Sequence, residues 1–427
     1  MLTRNDMKMI MNYLYTPACM LLLCAAVVSC SGKEIQRPDV VNPIYPVTEP
    51  EGTEGTIAEE SLETSISYRG WSGDKSLSRP FASGTEANSV RIPSVVTAAD
   101  GSLLVFCEAR HNSWRDKSYT DIVVRRSTDN GKTWSAVQNL TGSANGGNYA
   151  FMDPVPVVAG NGEIFLFCCR WLKDNSDASN NRAFRLSSSD NGVTWSAPED
   201  VTGEVIVPGC FSAGFGPGSG TRISGGQHAG RMILPSRQYD GSSSKGICIY
   251  SDDNGKTWNT SSEVRAGESQ IADAGDGSLV MNIRAGSDRY ASFSGDGGAT
   301  WSSASKVADL PSLSGGCHSG VFGTGDGTVF WCGPAGTSST ADNDNRYALT
   351  LYRSITGAET WTMKHCLYDL ASGYADMTSA SDGRLVIVFE SGPEKGFTRA
   401  SGNRPAEWMC IDVIMIPGTV SDKGYWF

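Results

Sequence analysis

STDNGKTW, residues 127–134, is written again as SSDNGVTW (188–195), SDDNGKTW (251–258) and SGDGGATW (294–301), with a worn copy, SITGAETW, at 354–361. The intervals are 61, 63, 43 and 60 residues. Each copy lies between two runs of strand character, as in DIVVRR-STDNGKTW-SAVQNL. The Asp side chain can accept from backbone N–H groups just ahead of it and close a turn. Gly takes a positive φ at little cost, and Trp covers the turn with a large apolar face. A hairpin corner repeated five times implies a repeated sheet.

From residue 66 to 427 the chain is a succession of short apolar runs separated by Gly, Asp, Asn and Ser. SLLVFCEAR, DIVVRRS, EIFLFCCRW, GRMILPS, GICIYS, SLVMNIR, TVFWCG, YALTLYRS and RLVIVFE are each about strand length, and no long amphipathic helix interrupts them. The length divided by the repeat spacing gives roughly six units, so the expected fold is all-β, a six-bladed β-propeller of four-stranded antiparallel blades. The uneven spacing is the expected mark of inserted loops. Thr356 and Ala358 replace Asp and Gly in the last copy, which predicts a looser turn there.

The 427 residues carry 35 basic and 46 acidic side chains, a net charge of −11. That balance argues against nucleic acid, whose phosphates require a basic face. An anionic substrate would then need a local cluster of Arg. Nine of the 12 cysteines lie beyond residue 30 with no regular spacing, several of them inside apolar runs, so buried free thiols are expected in place of a disulfide framework. The four His residues show no ligand spacing, and no metal site is expected.

Arg4 and Lys8 precede the apolar run LLLCAAVVSC (21–30), too short to span a bilayer and typical of a signal peptide. The end of that run resembles a bacterial lipobox, which implies acylation of Cys30. Ser31-Gly32-Lys33-Glu34 resembles the surface-export signal of Bacteroides-group lipoproteins. The expectation is an exported protein, an outer-membrane lipoprotein at the cell surface or in the periplasm of a Gram-negative bacterium. Its only membrane contact would be the anchor at Cys30, the alternative being plain secretion. Residues 31–65, rich in Pro, Thr, Glu and Gly, read as a disordered tether that runs straight into the β-rich region with no appended carbohydrate-binding domain.

A second set of short motifs lies outside the repeats. It comprises RIPS (91–94), Glu108-Ala109-Arg110 followed by Asp116, MDP (152–154), ESQ (268–270) and NIR (282–284). Arg346 in NRYALTL, Tyr374 in SGYADMT and Glu390 in VFE complete it. Over residues 67 to 427 this ordered set, laid over five Asp boxes, resembles the bacterial sialidases. In that family the Asp boxes lie on the outer rim, away from the catalytic face.

The resemblance implies an exo-α-sialidase acting on sialylated glycans with retention of configuration and without a cofactor. A sialic acid carries a carboxylate on its anomeric carbon, and Arg supplies the planar fork that such a group needs. Arg91, Arg284 and Arg346 take that role by resemblance, with Glu390 positioning Arg91. A carboxylate nucleophile would be repelled by the substrate's own carboxylate. A neutral phenol avoids this, and sialidases are the tyrosine exception among retaining glycosidases. The motifs assign the nucleophile to Tyr374, its base to Glu268 and the acid/base to Asp116, with Asp121 as a structural competitor. Arg110 and Asp153 match positions that bind a ring hydroxyl. Met152 and Trp171 are candidate walls for the N-acetyl group, and Trp114 could alter leaving-group preference. The alternatives are a trans-sialidase or a deaminated-sialic-acid hydrolase on the same scaffold. A non-catalytic sialoglycan-binding propeller is the third, and it would lack one of the three catalytic residues.

Overall fold

The computed structural model describes residues 76–336, 346–361, 363–392 and 409–419. Contacts divide the chain into units of residues 1–46 and 47–427, and every described residue belongs to the second. The expected export signal, Cys30 and the tether lie outside the described residues.

The described chain is all-β, and its α-helical segments, Gly142–Asn145 and Thr202–Val205, are four residues each. After β1 (Ser76–Ala82) come β2 (Ser89–Thr97), β3 (Leu103–Arg110), β4 (Thr120–Ser127) and β5 (Gln138–Asn139). The next group is β6 (Tyr149–Val158), β7 (Ile164–Leu172), β8 (Arg182–Ser188) and β9 (Glu199–Asp200). It is followed by β10 (Ser212–Phe215), β11 (Thr221–Arg222), β12 (Met232–Tyr239), β13 (Ser244–Ser251) and β14 (Asn259–Thr260). Then come β15 (Ser269–Gly275), β16 (Ser278–Ala285), β17 (Asp288–Ser294) and β18 (Ser305–Lys306). The remainder is β19 (Gly320–Gly323), β20 (Val329–Pro334), β21 (Tyr347–Ser354), β22 (Met363–Ser379), β23 (Arg384–Ser391) and β24 (Cys410–Thr419).

These strands make four sheets. β10–β14 and β15–β18 are separate sheets, and the other two are longer because neighbouring groups are joined. β22 pairs with β21 through its first half and with β23 through its second, and β24 then pairs with β1, which ties the two ends of the described chain together. β4 meets β6 in a single parallel pair, Thr120↔Ala150; the other pairings between these strands are antiparallel.

The repeat joins the third and fourth strands of a group and packs against the preceding group. In the copy at 188–195, Asp190 Oδ1 accepts from Thr194 N at 2.9 Å and Oδ2 from its hydroxyl at 2.6 Å, while Ser188 Oγ accepts from Gly192 N at 2.9 Å. Gly192 has φ +80°, and a Cβ there would collide with Leu104 of the group before. Trp195 lies edge-on to Phe106 at 5.6 Å, in a cluster with Leu104, Phe151 and Leu166. Trp134, Trp258, Trp301 and Trp361 occupy the corresponding seams. The repeat therefore staples adjacent groups of strands, and its large aromatic face supplies the buried area.

The worn copy departs from expectation. Thr356 Oγ1 accepts from Thr360 N at 3.0 Å and pairs with its hydroxyl at 2.9 Å, and Ser354 Oγ still accepts from Ala358 N at 3.0 Å. The turn keeps its bonds because a hydroxyl can replace the carboxylate as acceptor. Ala358 takes the left-handed φ of +72° that Gly takes elsewhere.

Antiparallel order decides where chemistry can sit. The start of a group's first strand lies beside the end of its second, as in Arg91↔Glu108 and Ser269↔Ile283. The repeats follow the third strand and so lie at the opposite end. All nine cysteines among the described residues are free thiols; six are buried, and Cys210, Cys366 and Cys410 are partly exposed.

Candidate active site

The site is assembled at the end of the groups where first strands start and second strands finish, with Arg346 just ahead of β21 at the same end. Tyr374, on β22, donates its hydroxyl proton to Glu268 Oε1 at 2.7 Å. Arg284, on β16, donates from Nη1 to Glu268 Oε2 at 2.6 Å and to Tyr374 Oη at 2.9 Å, and from Nη2 to Gly315 O at 3.0 Å. The guanidinium carbons of Arg91 and Arg346 stand 5.8 and 5.6 Å from the centre of the Tyr374 ring. Arg346 Nη2 donates to Gly316 O at 3.0 Å. Three arginines thus surround one phenol.

Glu390 organises this ring of charge. Its Oε1 accepts from Arg91 Nε at 2.5 Å and from Ile92 N at 2.9 Å. Its Oε2 accepts from Arg91 Nη2 at 3.2 Å and from Tyr374 N at 3.0 Å. Ile92 sits at a bulge with φ +56°, a costly backbone for a β-branched residue, and the carboxylate pins it there. Gly373 leaves room for the same carboxylate, since a Cβ there would strike Glu390 Oε2. Glu390 is fully buried, which pushes its carboxyl upward, yet Arg91 and the two backbone donors hold it below the ordinary value.

The same balance polarises the central couple. Burial favours a protonated Glu268, but Arg284, Arg237 and the Tyr374 hydroxyl outweigh it and hold the carboxyl at about 2. Burial and the neighbouring Glu268 push the Tyr374 phenol well above its usual value of 10. At neutral pH the pair is therefore a carboxylate accepting from a neutral phenol, the arrangement that a general base and its nucleophile require.

Asp116 lies in the loop between β3 and β4 with its side chain 74% exposed, 2.8 Å from Arg110 Nη1. Against a desolvation effect, Arg110 and Arg91 hold its carboxyl below the ordinary value. The fork of Arg110 is engaged by Glu108 Oε2 (2.8 and 2.6 Å), Trp114 O (2.7 Å) and Asp116, so in this state it secures the loop. Trp114 Nε1 is buried and has no hydrogen-bond partner among the described residues. Asp121 is spent on structure: it pairs with His111 Nε2 at 2.8 Å and accepts from Asn139, Thr141 and Asn145 at 2.7–2.9 Å.

Asp153 occupies a second bulge with φ +55° and accepts from Arg237 Nη2 at 3.0 Å. Met152 is buried with Ala150 and Cys169, and the partly buried Trp171 packs beside them under Lys117, whose ammonium is 3.7 Å from the ring centre. Three residues have no counterpart among the sequence motifs read as site residues. Arg237 lies against Asp153, and its charge acts on Glu268. Glu108 stands in the sequence motif only as the neighbour of Arg110. It is wholly buried, accepts from Asp153 N at 3.0 Å, and burial raises its carboxyl. His318 lies 5.6 Å from the Tyr374 ring, and burial holds its imidazole near 3 and neutral. Among the described residues no three His, Cys, Asp or Glu side chains form a metal-binding group.

The chain is similar in sequence to a sialidase of Paraclostridium sordellii, 33% identical over 229 residues, which cover 49% of this chain and 56% of that one. It is 28% identical over 338 residues to a sialidase of Bacteroides fragilis (strain YCH46), covering 70% and 60%. The chain thus spans less than two thirds of the length of these curated relatives. In structure it resembles a Hadza microbial sialidase with a TM-score of 0.64 at 24% identity, covering 72% of this chain and 64% of that one, a likeness of fold. A BNR/Asp-box repeat model matches residues 125–136. The BNR repeat-like domain model matches residues 144–387, more than half of the sequence, and the chain belongs to that family.

Proposed function

We propose that the protein is an exo-α-sialidase that releases terminal sialic acid with retention of configuration. One observation carries this: a neutral phenol donates to a carboxylate at 2.7 Å in the midst of three arginines. Arg91, Arg284 and Arg346 hold the substrate carboxylate, which also neutralises the charge they share. Tyr374 Oη attacks the anomeric carbon as its proton passes to Glu268. Asp116 gives a proton to the departing glycosidic oxygen, and the sugar is left covalently on Tyr374. Asp116 then takes a proton from water, whose oxygen attacks the anomeric carbon, and the phenolate leaves and recovers its proton from Glu268. Arg110 and Asp153 meet ring hydroxyls, and Met152 and Trp171 wall the N-acetyl group.

The scaffold we infer is a six-bladed β-propeller in which β1 completes the last blade by pairing with β24. Export with acylation of Cys30 places this site at the cell surface or in the periplasm, and a Cys30→Ala chain recovered free of membranes tests that step.

The activity is tested with 4-methylumbelliferyl α-sialoside, following fluorophore release and the first-formed anomer by proton NMR. Release with the α-anomer first supports the reading, and the β-anomer first overturns it. Appearance of an anhydro or transferred sugar in place of free sialic acid would identify a trans-sialidase.

A further inference from the structure

We propose that Gln270 and Asp376 are positioning residues, forming a second rung that aligns Glu268 with Tyr374. This rests on the reading of the site given above. Glu268 directly precedes β15, and Tyr374 lies on β22, and these strands belong to different sheets with no backbone ladder between them. Two residues further along each of these segments, Gln270 Nε2 donates to Asp376 Oδ1 at 2.6 Å. Both rungs, Glu268–Tyr374 and Gln270–Asp376, join residues 106 apart in sequence. The second bond therefore ties the same two segments together two residues beyond the first, past the irregularity between Ser372 and Ala375.

The second rung is anchored on every side. Asp376 Oδ2 accepts from Val95 N of β2 at 2.9 Å, and Oδ1 from Met377 N at 2.8 Å and Ser219 Oγ at 3.1 Å. Gln270 Nε2 also donates to Ser219 O at 3.2 Å, and Gln270 Oε1 accepts from Val321 N of β19 at 3.1 Å. Gln270 and Asp376 are 1% and 0% exposed. Gln270 and Ser219 also line a cavity of about 330 Å³ that takes in Thr97, Arg222 and Asp273 and none of the residues around Tyr374. With no ladder between β15 and β22, these hydrogen bonds fix the spacing of the two strands. Catalytic geometry tolerates little error, and a displacement near 1 Å can cost on the order of 100-fold in rate.

The test uses Gln270→Met, which keeps the length and removes the bond, and Ser219→Ala, a milder loosening. For each, kcat and KM are measured on the aryl sialoside, beside the dissociation constant for 2-deoxy-2,3-didehydro-N-acetylneuraminic acid, which reads the sugar-binding contacts without the chemical step. A positioning role predicts kcat lower by roughly 10–100-fold for Gln270→Met and severalfold for Ser219→Ala, with analogue affinity within about threefold of wild type. Unchanged kcat in folded Gln270→Met overturns the proposal, as does a parallel loss of analogue affinity, which marks a general structural role. Should Gln270→Met not fold, kcat of Ser219→Ala decides. Wild-type protein that neither turns over the sialoside nor binds the analogue defeats the reading of the site, and the rung with it. Wild-type protein that does both while the variants keep their kcat defeats the rung alone.

Discussion

The carboxylate of Glu390 accepts the backbone N–H of Tyr374 at 3.0 Å with the oxygen that also receives Arg91 Nη2. One side chain thereby fixes both a carboxylate-binding arginine and the strand that carries the nucleophile. Removing a partner from a buried ion pair costs about 3–5 kcal/mol because the remaining charge is left without compensation. Glu390→Ala should therefore lower stability by about that amount and reduce kcat/KM on the aryl sialoside by more than roughly 100-fold. Chemical denaturation and steady-state kinetics check it, and a variant with wild-type kcat/KM would show that Arg91 does not depend on Glu390.

Arg346→Lys keeps the charge and loses the planar fork. A charge-assisted hydrogen bond contributes about 1.5–3 kcal/mol, so kcat/KM should fall by roughly 10–100-fold. A loss under twofold would place the substrate carboxylate elsewhere.

The pH profile follows from opposite demands on two carboxyls. Glu268 must be ionised to accept the phenol proton, and at about 2 it is so throughout the working range. Asp116 must be protonated to assist departure, yet Arg110 and Arg91 hold it below its ordinary value in the free protein. Its protonated fraction falls tenfold per pH unit above its pKa, which lies below the ordinary carboxyl value, so kcat/KM should already be falling in the mildly acidic range and continue to fall toward neutrality. Closure of the loop over substrate would displace water and raise the carboxyl. Asp116→Asn should abolish the decline and slow poor leaving groups far more than activated aryl ones. A decline that survives in Asp116→Asn would assign the proton to another group.

Trp258 packs at a sheet seam against Phe165 and Phe167 at the end remote from Tyr374. Trp258→Ala should cost about 2–4 kcal/mol in a denaturant melt, given its partial exposure, and leave kcat and KM within twofold. A large loss of kcat in folded protein would tie the repeats to catalysis.

The second and third strands of each group are legible in the sequence, the second most plainly because runs such as LLVFC and IFLFCC are buried on both faces and need no register argument, whereas the two-residue fourth strands leave no such mark. The first strands are harder to see. β2 and β6 carry bulges before proline, at Arg91-Ile92-Pro93 and Met152-Asp153-Pro154, which break the alternation that marks a strand. β22 hides for another reason: its 17 residues serve two runs of pairing and include Asp, Gly and Ser. Tyr374, Glu268, Arg284 and Glu390 are legible through short motifs, and the fold brings them within hydrogen-bond reach. Arg237 and His318 are not, since each acquires meaning only from partners distant in the chain. Arg110 gains partners that its motif does not announce: beside the role the sequence offers it, its fork meets Glu108, the Trp114 carbonyl and Asp116.

The most direct test of the account is to trap the intermediate. Wild-type protein and Tyr374→Phe are incubated with 2,3-difluorosialic acid, and intact mass and peptide mapping locate any adduct. The account predicts one sialyl adduct on Tyr374 in the wild type and none in the variant. An adduct mapped to Glu268 or Asp116, or one that persists in Tyr374→Phe, would contradict it.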